Sequence, residues 1–133
     1  MALGIVLGGC GNSAKREATS LAEAVDRFRQ ASGASSQAQA AAVAAVPCSD
    51  DRVCEAKRAC LEAIGPTGQA LALKDEVSSK LADIEAARLS PNAPEAQALP
   101  GKLDDASRLL QEGHAKMGAC ETKLTDLRVT YAF

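Results

Sequence analysis

Between residues 102 and 130, apolar and small residues recur every seven positions in two interleaved series. One contains Leu103, Leu110, Met117 and Leu124; the other contains Ala106, Gly113, Cys120 and Leu127. A mean spacing of 3.5 residues keeps both series on one stripe of an α-helix, and a helix with a single apolar stripe has to bury it against other helices. The pattern predicts a long helix with coiled-coil-like packing. It is incompatible with a strand, whose side chains alternate with a period of two, and no alternating run of strand length occurs elsewhere in the chain.

The rest of the chain has to supply that helix with partners, and composition limits what those partners look like. In 133 residues, 47% are hydrophobic, enough for one domain with a core of its own. Alanine supplies close to half of that fraction, and the aromatics are Phe28, Tyr131 and Phe133 alone, so the core is thin and its helices closely spaced. Lys and Arg number 15 against 17 Asp and Glu, with the signs mixed along the whole length. A chain with no basic patch and no aromatic stacking platform lacks both physical supports of nucleic-acid binding, so no nucleic-acid partner is expected.

Two further helical stretches precede the heptads. Residues 15–46 contain no proline, and Leu21, Val25, Phe28, Ser32, Ser35, Ala38, Ala42 and Val46 form a stripe at steps of three and four. Its middle, with Ser32, Gly33 and Ser35, is weak enough for a bend. Beyond Ser35 a strict heptad would land on Gln39, which demands a change of register. "VPCSDD", residues 46–51, then ends this helix with Pro47 and offers Ser49 or Asp50 as a cap for the next. The second stretch covers residues 51–89. Val53, Cys60 and Ile64 share a face before Gly65-Pro66, where a break is expected, and Ala70, Leu73, Val77, Leu81 and Ile84 share one after it. Residues 90–101, with Pro91, Pro94 and Pro100, read as a loop. Three helices of about 30 residues, each roughly 45 Å long and joined by short links, predict an all-α fold: an elongated antiparallel three-helix bundle, its second helix broken near Gly65-Pro66.

The N-terminus carries a different kind of signal. "MALGIVLGGC" is an apolar run closed by two glycines and a cysteine, with no basic residue before it. Leu7, Gly8, Gly9 and Cys10 resemble the lipobox of bacterial lipoprotein signal peptides position by position. The resemblance implies that residues 1–9 are a truncated or atypical signal segment and that Cys10 is the lipidated first residue of the mature chain. Residues 10–14 would then be the attachment site and a short linker, and residues 15–133 the bundle domain. Lipidation of this type places a diacylglyceryl thioether and an amide-linked acyl chain, such as palmitate, on one cysteine, and several acyl chains anchor stably where one binds only reversibly. Gly11, where lipoproteins held at the inner membrane often carry Asp, leans the resemblance toward an outer-membrane lipoprotein facing the periplasm.

With Cys10 reserved for lipid, Cys48, Cys54, Cys60 and Cys120 form an even set, as expected for two disulfides in an exported domain. Four cysteines allow three connectivities. Cys60 and Cys120 both lie on core stripes, whereas Cys54 is rotated about 100° from Val53 and Cys48 precedes the helix, so Cys60 with Cys120 and Cys48 with Cys54 are favoured. If the helices were straight and level, Cys60 and Cys120 would differ in height by about 16 Å. Either the Gly65-Pro66 break or a climbing loop has to absorb that difference.

Chemistry finds little purchase in this sequence. Five residues separate Cys48 from Cys54 and Cys54 from Cys60, unlike the two-residue spacing of thioredoxin-type redox motifs and tight zinc pairs. His114 is the one histidine and flanks the third helix's stripe, where an exposed position is the plain expectation. Asp50 with Asp51, and Asp104 with Asp105, read as helix-start residues. Asp104 with Arg108 and Glu112 with Lys116 read as surface pairs at four-residue spacing. No catalytic residue, metal or cofactor is expected. The sequence leads to a noncatalytic, membrane-anchored helical lipoprotein, an interaction or structural module of the cell envelope that contacts the membrane through Cys10 and a protein partner through a helix face or tip. The alternative is a periplasmic carrier or chaperone that shelters an apolar ligand or chain in a groove of the bundle.

Overall fold

The computed structural model describes residues 10–33 and 35–133, with backbone only for residues 10 and 11. Among the described residues the chain is all-helical, with four helices of at least 11 residues and one single turn: α1 (Cys10–Gln30), α2 (Ser35–Ala45), α3 (Asp51–Glu85), α4 (Pro94–Gln97) and α5 (Leu99–Tyr131). The lipobox residues Leu7, Gly8 and Gly9 and the side chain of Cys10 lie outside the described residues.

The stretch expected to be one helix, residues 15–46, is two. Gly33 takes φ +60°, a left-handed conformation that other residues adopt at a cost, and the chain turns back there. Serines on either side of it support the turn, with Ser35 Oγ donating to the Ser32 carbonyl at 2.8 Å. α2 then retraces α1, so that Ser49, just beyond it, donates through its backbone N–H to Glu17 Oε2 at 2.8 Å. The apolar stripe changes register at the turn. Leu21, Val25 and Phe28 are buried as expected, but Ser35 and Ala38 point to solvent while Ser36 and Val43 are buried in their place. Folding back, rather than bending, brings a different face of α2 onto the core.

The expected break at Gly65-Pro66 does not occur: α3 runs through both residues as a single helix. An interior proline forfeits one hydrogen bond and crowds the carbonyl four residues earlier, a strong local bias against helix. Tertiary packing outweighs it here, since Ala63, Ile64, Gly68 and Ala70 are all buried around Pro66. Thr67 Oγ1 also donates to the Ala63 carbonyl at 2.9 Å. The helix ends instead at a Schellman motif, with Ala87 N–H donating to the Ile84 carbonyl at 3.1 Å and Arg88 N–H to that of Asp83 at 2.8 Å. Ala87 holds the left-handed position at φ +58°, where glycine is the usual occupant. Ala87→Gly is therefore expected to stabilise the protein by about 1 kcal/mol, read as a raised midpoint in urea with an unchanged slope.

α3 and α5 form the long axis, an antiparallel hairpin roughly 50 Å in length at 1.5 Å per residue. Lys123 meets Glu55 at one end and Lys102 pairs with Glu76 toward the other. The α1–α2 hairpin covers only part of it. Phe28 and Ala40 lie against Gly68, and the Gly33 turn lies against the Asp75 carboxylate, which marks the limit of cover along α3. The heptads of α5 record this geometry. Ala106, Gly113, Cys120 and Leu127 are buried throughout, facing α3, whereas Leu124 is buried, Met117 and Leu110 are half-buried and Leu103 is exposed. The architecture thus departs from a three-helix bundle of constant section: four helices meet at one end and the α3–α5 hairpin alone continues to the other.

Candidate functional site

Two ends and a core carry the residues singled out in the sequence. At the four-helix end, the backbone of α1 starts at Cys10, the α2–α3 connection passes Glu17, α3 begins and α5 finishes. Asp50 caps α3, accepting from the Arg52 N–H at 3.0 Å. Its carboxyl is held below the usual carboxylate range, first by the hydroxyl of Tyr131 and then, against an opposing effect of burial, by the N–H groups of Arg52 and Val53. The same contact, after burial, raises the Tyr131 hydroxyl. The last turn of α5 therefore lies beside the cap of α3.

Cys48 and Cys54 stand at disulfide geometry in this region, with Cα atoms 5.3 Å apart and both residues half-buried. Cys60 and Cys120 stand at disulfide geometry inside the core, Cα atoms 4.4 Å apart and both residues fully buried. The height difference expected for the second pair is taken up by the loop. α3 ends at Glu85, 25 residues beyond Cys60, and α5 begins at Leu99, 21 residues before Cys120. The remaining offset is about 6 Å, spanned by the connection that contains α4.

The opposite end is the hairpin tip. Residues 86–98 turn between α3 and α5, with Ala96 and Leu99 buried under the turn. Leu81 and Leu103 stay 48% and 43% exposed because α1 and α2 end short of them. Sequence periodicity placed both leucines on core stripes; the extent of α1 and α2, which decides their exposure, is not written in their own spacing.

The remaining candidates are dispersed. His114 is exposed on α5. Asp104 and Asp105 are in the second turn of α5, not at its start, and Arg108 pairs with Asp105 at 3.6 Å instead of with Asp104. Glu112 and Lys116 pair at 3.6 Å as expected. Among the described residues no group of three or more His, Cys, Asp or Glu side chains is placed to hold a metal, and no helix is long and apolar enough to cross a membrane. Two surface grooves border the long hairpin. One, of about 420 Å³, is lined by Arg52, Glu55, Lys123 and Asp126 with Leu127, Val129 and Thr130. The other, of about 350 Å³, lies where α2 meets the hairpin, between Gln37, Leu73 and Leu109. The first carries charges of both signs, and both are open to solvent.

Geometry defines the class as an all-helical, cysteine-paired bundle with a projecting hairpin. No family model matches the chain, and no curated protein and no solved structure matches it.

Proposed function

We propose that the chain is a noncatalytic lipoprotein of the bacterial cell envelope, held in the outer membrane by acyl chains on Cys10. Its elongated, coiled-coil-like bundle faces the periplasm and presents the hairpin tip to a protein partner. The observation that carries this reading is the opposition of the two ends. α1 starts at Cys10 at the four-helix end, while the exposed Leu81 and Leu103 lie on the part of the roughly 50 Å hairpin that continues past Asp75, beyond the cover of α1 and α2. Exposed leucines on both helices near the tip offer an interaction surface, since apolar side chains outside a core gain most when a partner removes them from water.

The carrier reading has less support. It needs an open apolar groove along the small residues of the first stripe, and Ser32, Ser35 and Ala38 of that stripe lie exposed on the surface instead of lining one.

The partner surface is tested by placing a photo-crosslinking residue at Leu103 or, as a control, at Val129 at the four-helix end, in bacterial cells producing the full chain. The expected result is a discrete adduct from position 103 that disappears when Leu81→Glu is added, with the thermal midpoint shifted by less than about 2 °C because the exposed site carries little of the core. Equal adducts from both positions, or none from the tip, would overturn the assignment of the tip.

A further inference from the structure

The two cysteine pairs occupy unlike surroundings, and the difference has a chemical consequence. Thiol–disulfide exchange requires a thiolate to approach one sulfur along the sulfur–sulfur axis, so access decides which bond reacts. Cys60 and Cys120 have no exposed surface and lie in the same cluster as Val25, Ile64 and Leu124. An external thiol reaches that bond only when the bundle opens globally. Cys48 and Cys54 are half-buried at the surface, where the α2–α3 connection enters α3.

We propose that the Cys48–Cys54 pair is a thiol–disulfide exchange site, a clasp that a dithiol opens while the Cys60–Cys120 pair keeps the bundle closed. The attacking thiolate forms a mixed disulfide with one of the two sulfurs and releases the other as a thiolate. The second thiol of the attacker then displaces the remaining cysteine. Two electrons and two protons pass from the dithiol to the pair, leaving Cys48 and Cys54 as thiols and the attacker as its own disulfide. Cys54, in the opening turns of α3, is a suitable leaving group, because its side chain leans back toward N–H groups that favour negative charge.

The position of the clasp defines what opening does. Val46 anchors the start of the connection in the core and Cys48 packs against it; beyond them the disulfide, the Asp50 cap and a few polar contacts hold it, with Lys57 Nζ donating to the Val46 carbonyl at 2.8 Å and Ser49 donating to Glu17 from both its N–H and its hydroxyl. A loop closed over a separation of 6 constrains the unfolded chain about half as much as one closed over 60, so the larger share of the covalent stabilisation rests with the core pair. Opening loosens residues 47–50 and their hold on Glu17 of α1 through Ser49, at the end of the molecule where α1 begins, and leaves the tip as it was.

The test exposes the folded, oxidised full chain to dithiothreitol without denaturant, quenches it at intervals with an alkylating agent and maps the labels after trypsin digestion. The lysines and arginines place all five cysteines on separate peptides, so Cys10 does not enter the comparison. Cys48 and Cys54 are expected to be labelled together at least about a hundredfold faster than Cys60 and Cys120. The partly reduced species should keep its helical circular dichroism and lose amide protection in residues 47–54 but not in 106–127. The variant Cys48→Ser with Cys54→Ser should show the same local loss without any reductant. Labelling of the two pairs at one common rate would overturn the proposal, as would resistance of Cys48 and Cys54 up to global unfolding. Unchanged protection of residues 47–54 in the reduced protein and the double variant would overturn the release of the connection.

Discussion

Replacing Cys60 and Cys120 together with alanine is expected to lower the thermal midpoint by roughly 15 °C, the equivalent of about 4 kcal/mol for a chain of this size. The pair closes a separation of 60 residues, which in the unfolded chain removes about twice the conformational freedom that the Cys48–Cys54 loop, of separation 6, does. Alanine is the appropriate replacement because both positions are fully buried and a serine would bring in an unpartnered hydroxyl. Differential scanning calorimetry of the oxidised parent and the double variant, at the same pH and salt, gives the comparison. A shift of less than about 3 °C would show that the long link contributes little beyond the packing already present.

Gly113→Ala is the second large effect, and its sign is opposite to what helix propensity alone implies. Alanine is favoured over glycine in a helix interior by about 1 kcal/mol. At this position, however, a Cβ would stand 2.1 Å from Thr67 Oγ1 and 2.8 Å from the Ala63 carbonyl oxygen, so α5 has to move away from α3. The expected outcome is a net loss of about 1 to 3 kcal/mol, measured as a lower urea midpoint. Gly118, one and a half turns further along the same helix, has nothing within 4 Å of its added Cβ, and Gly118→Ala should stabilise. Adding Thr67→Ala to Gly113→Ala relieves the hydroxyl contact but leaves the carbonyl, so recovery should be partial. Equal stabilisation by both alanines would mean that α3 and α5 do not approach closely at Pro66.

That approach explains the largest error of local sequence reasoning. Gly65-Pro66 is as strong a breaker as a sequence offers, and the helix persists because the residues around it are buried and α5 closes against the turn through Gly113. Neither condition is visible from residues 65 and 66 themselves. The reverse happens at Ala87: a left-handed residue stops α3, yet alanine is the residue least expected to announce a stop. The Gly33 turn lies between these cases. Its weakness is legible in Ser32, Gly33 and Ser35, but whether the chain bends or reverses depends on what α2 finds when it folds back, and α3 supplies that partner.

Core patterning was more legible than helix ends. The series of Ala106, Gly113, Cys120 and Leu127 is buried along its whole length because its partner, α3, runs beside it for the whole length. The parallel series loses burial from Leu124 to Leu103 as α1 runs out, which a heptad pattern cannot report. The functional reading divides in the same way. Cysteine faces on helical stripes were enough to bring Cys60 with Cys120 and Cys48 with Cys54, while the tip surface emerged only from the unequal lengths of the two hairpins.

Attachment through Cys10 is the claim on which the proposed role depends. Intact-mass analysis of the chain extracted from bacterial membranes, alongside Cys10→Ala, tests it directly. The expected wild-type chain begins at Cys10, carries the mass of a diacylglyceryl group and a further acyl chain, and partitions with outer-membrane vesicles, while the variant has none of that added mass and leaves the outer membrane. A wild-type chain without acyl mass, recovered in the soluble fraction, would contradict it.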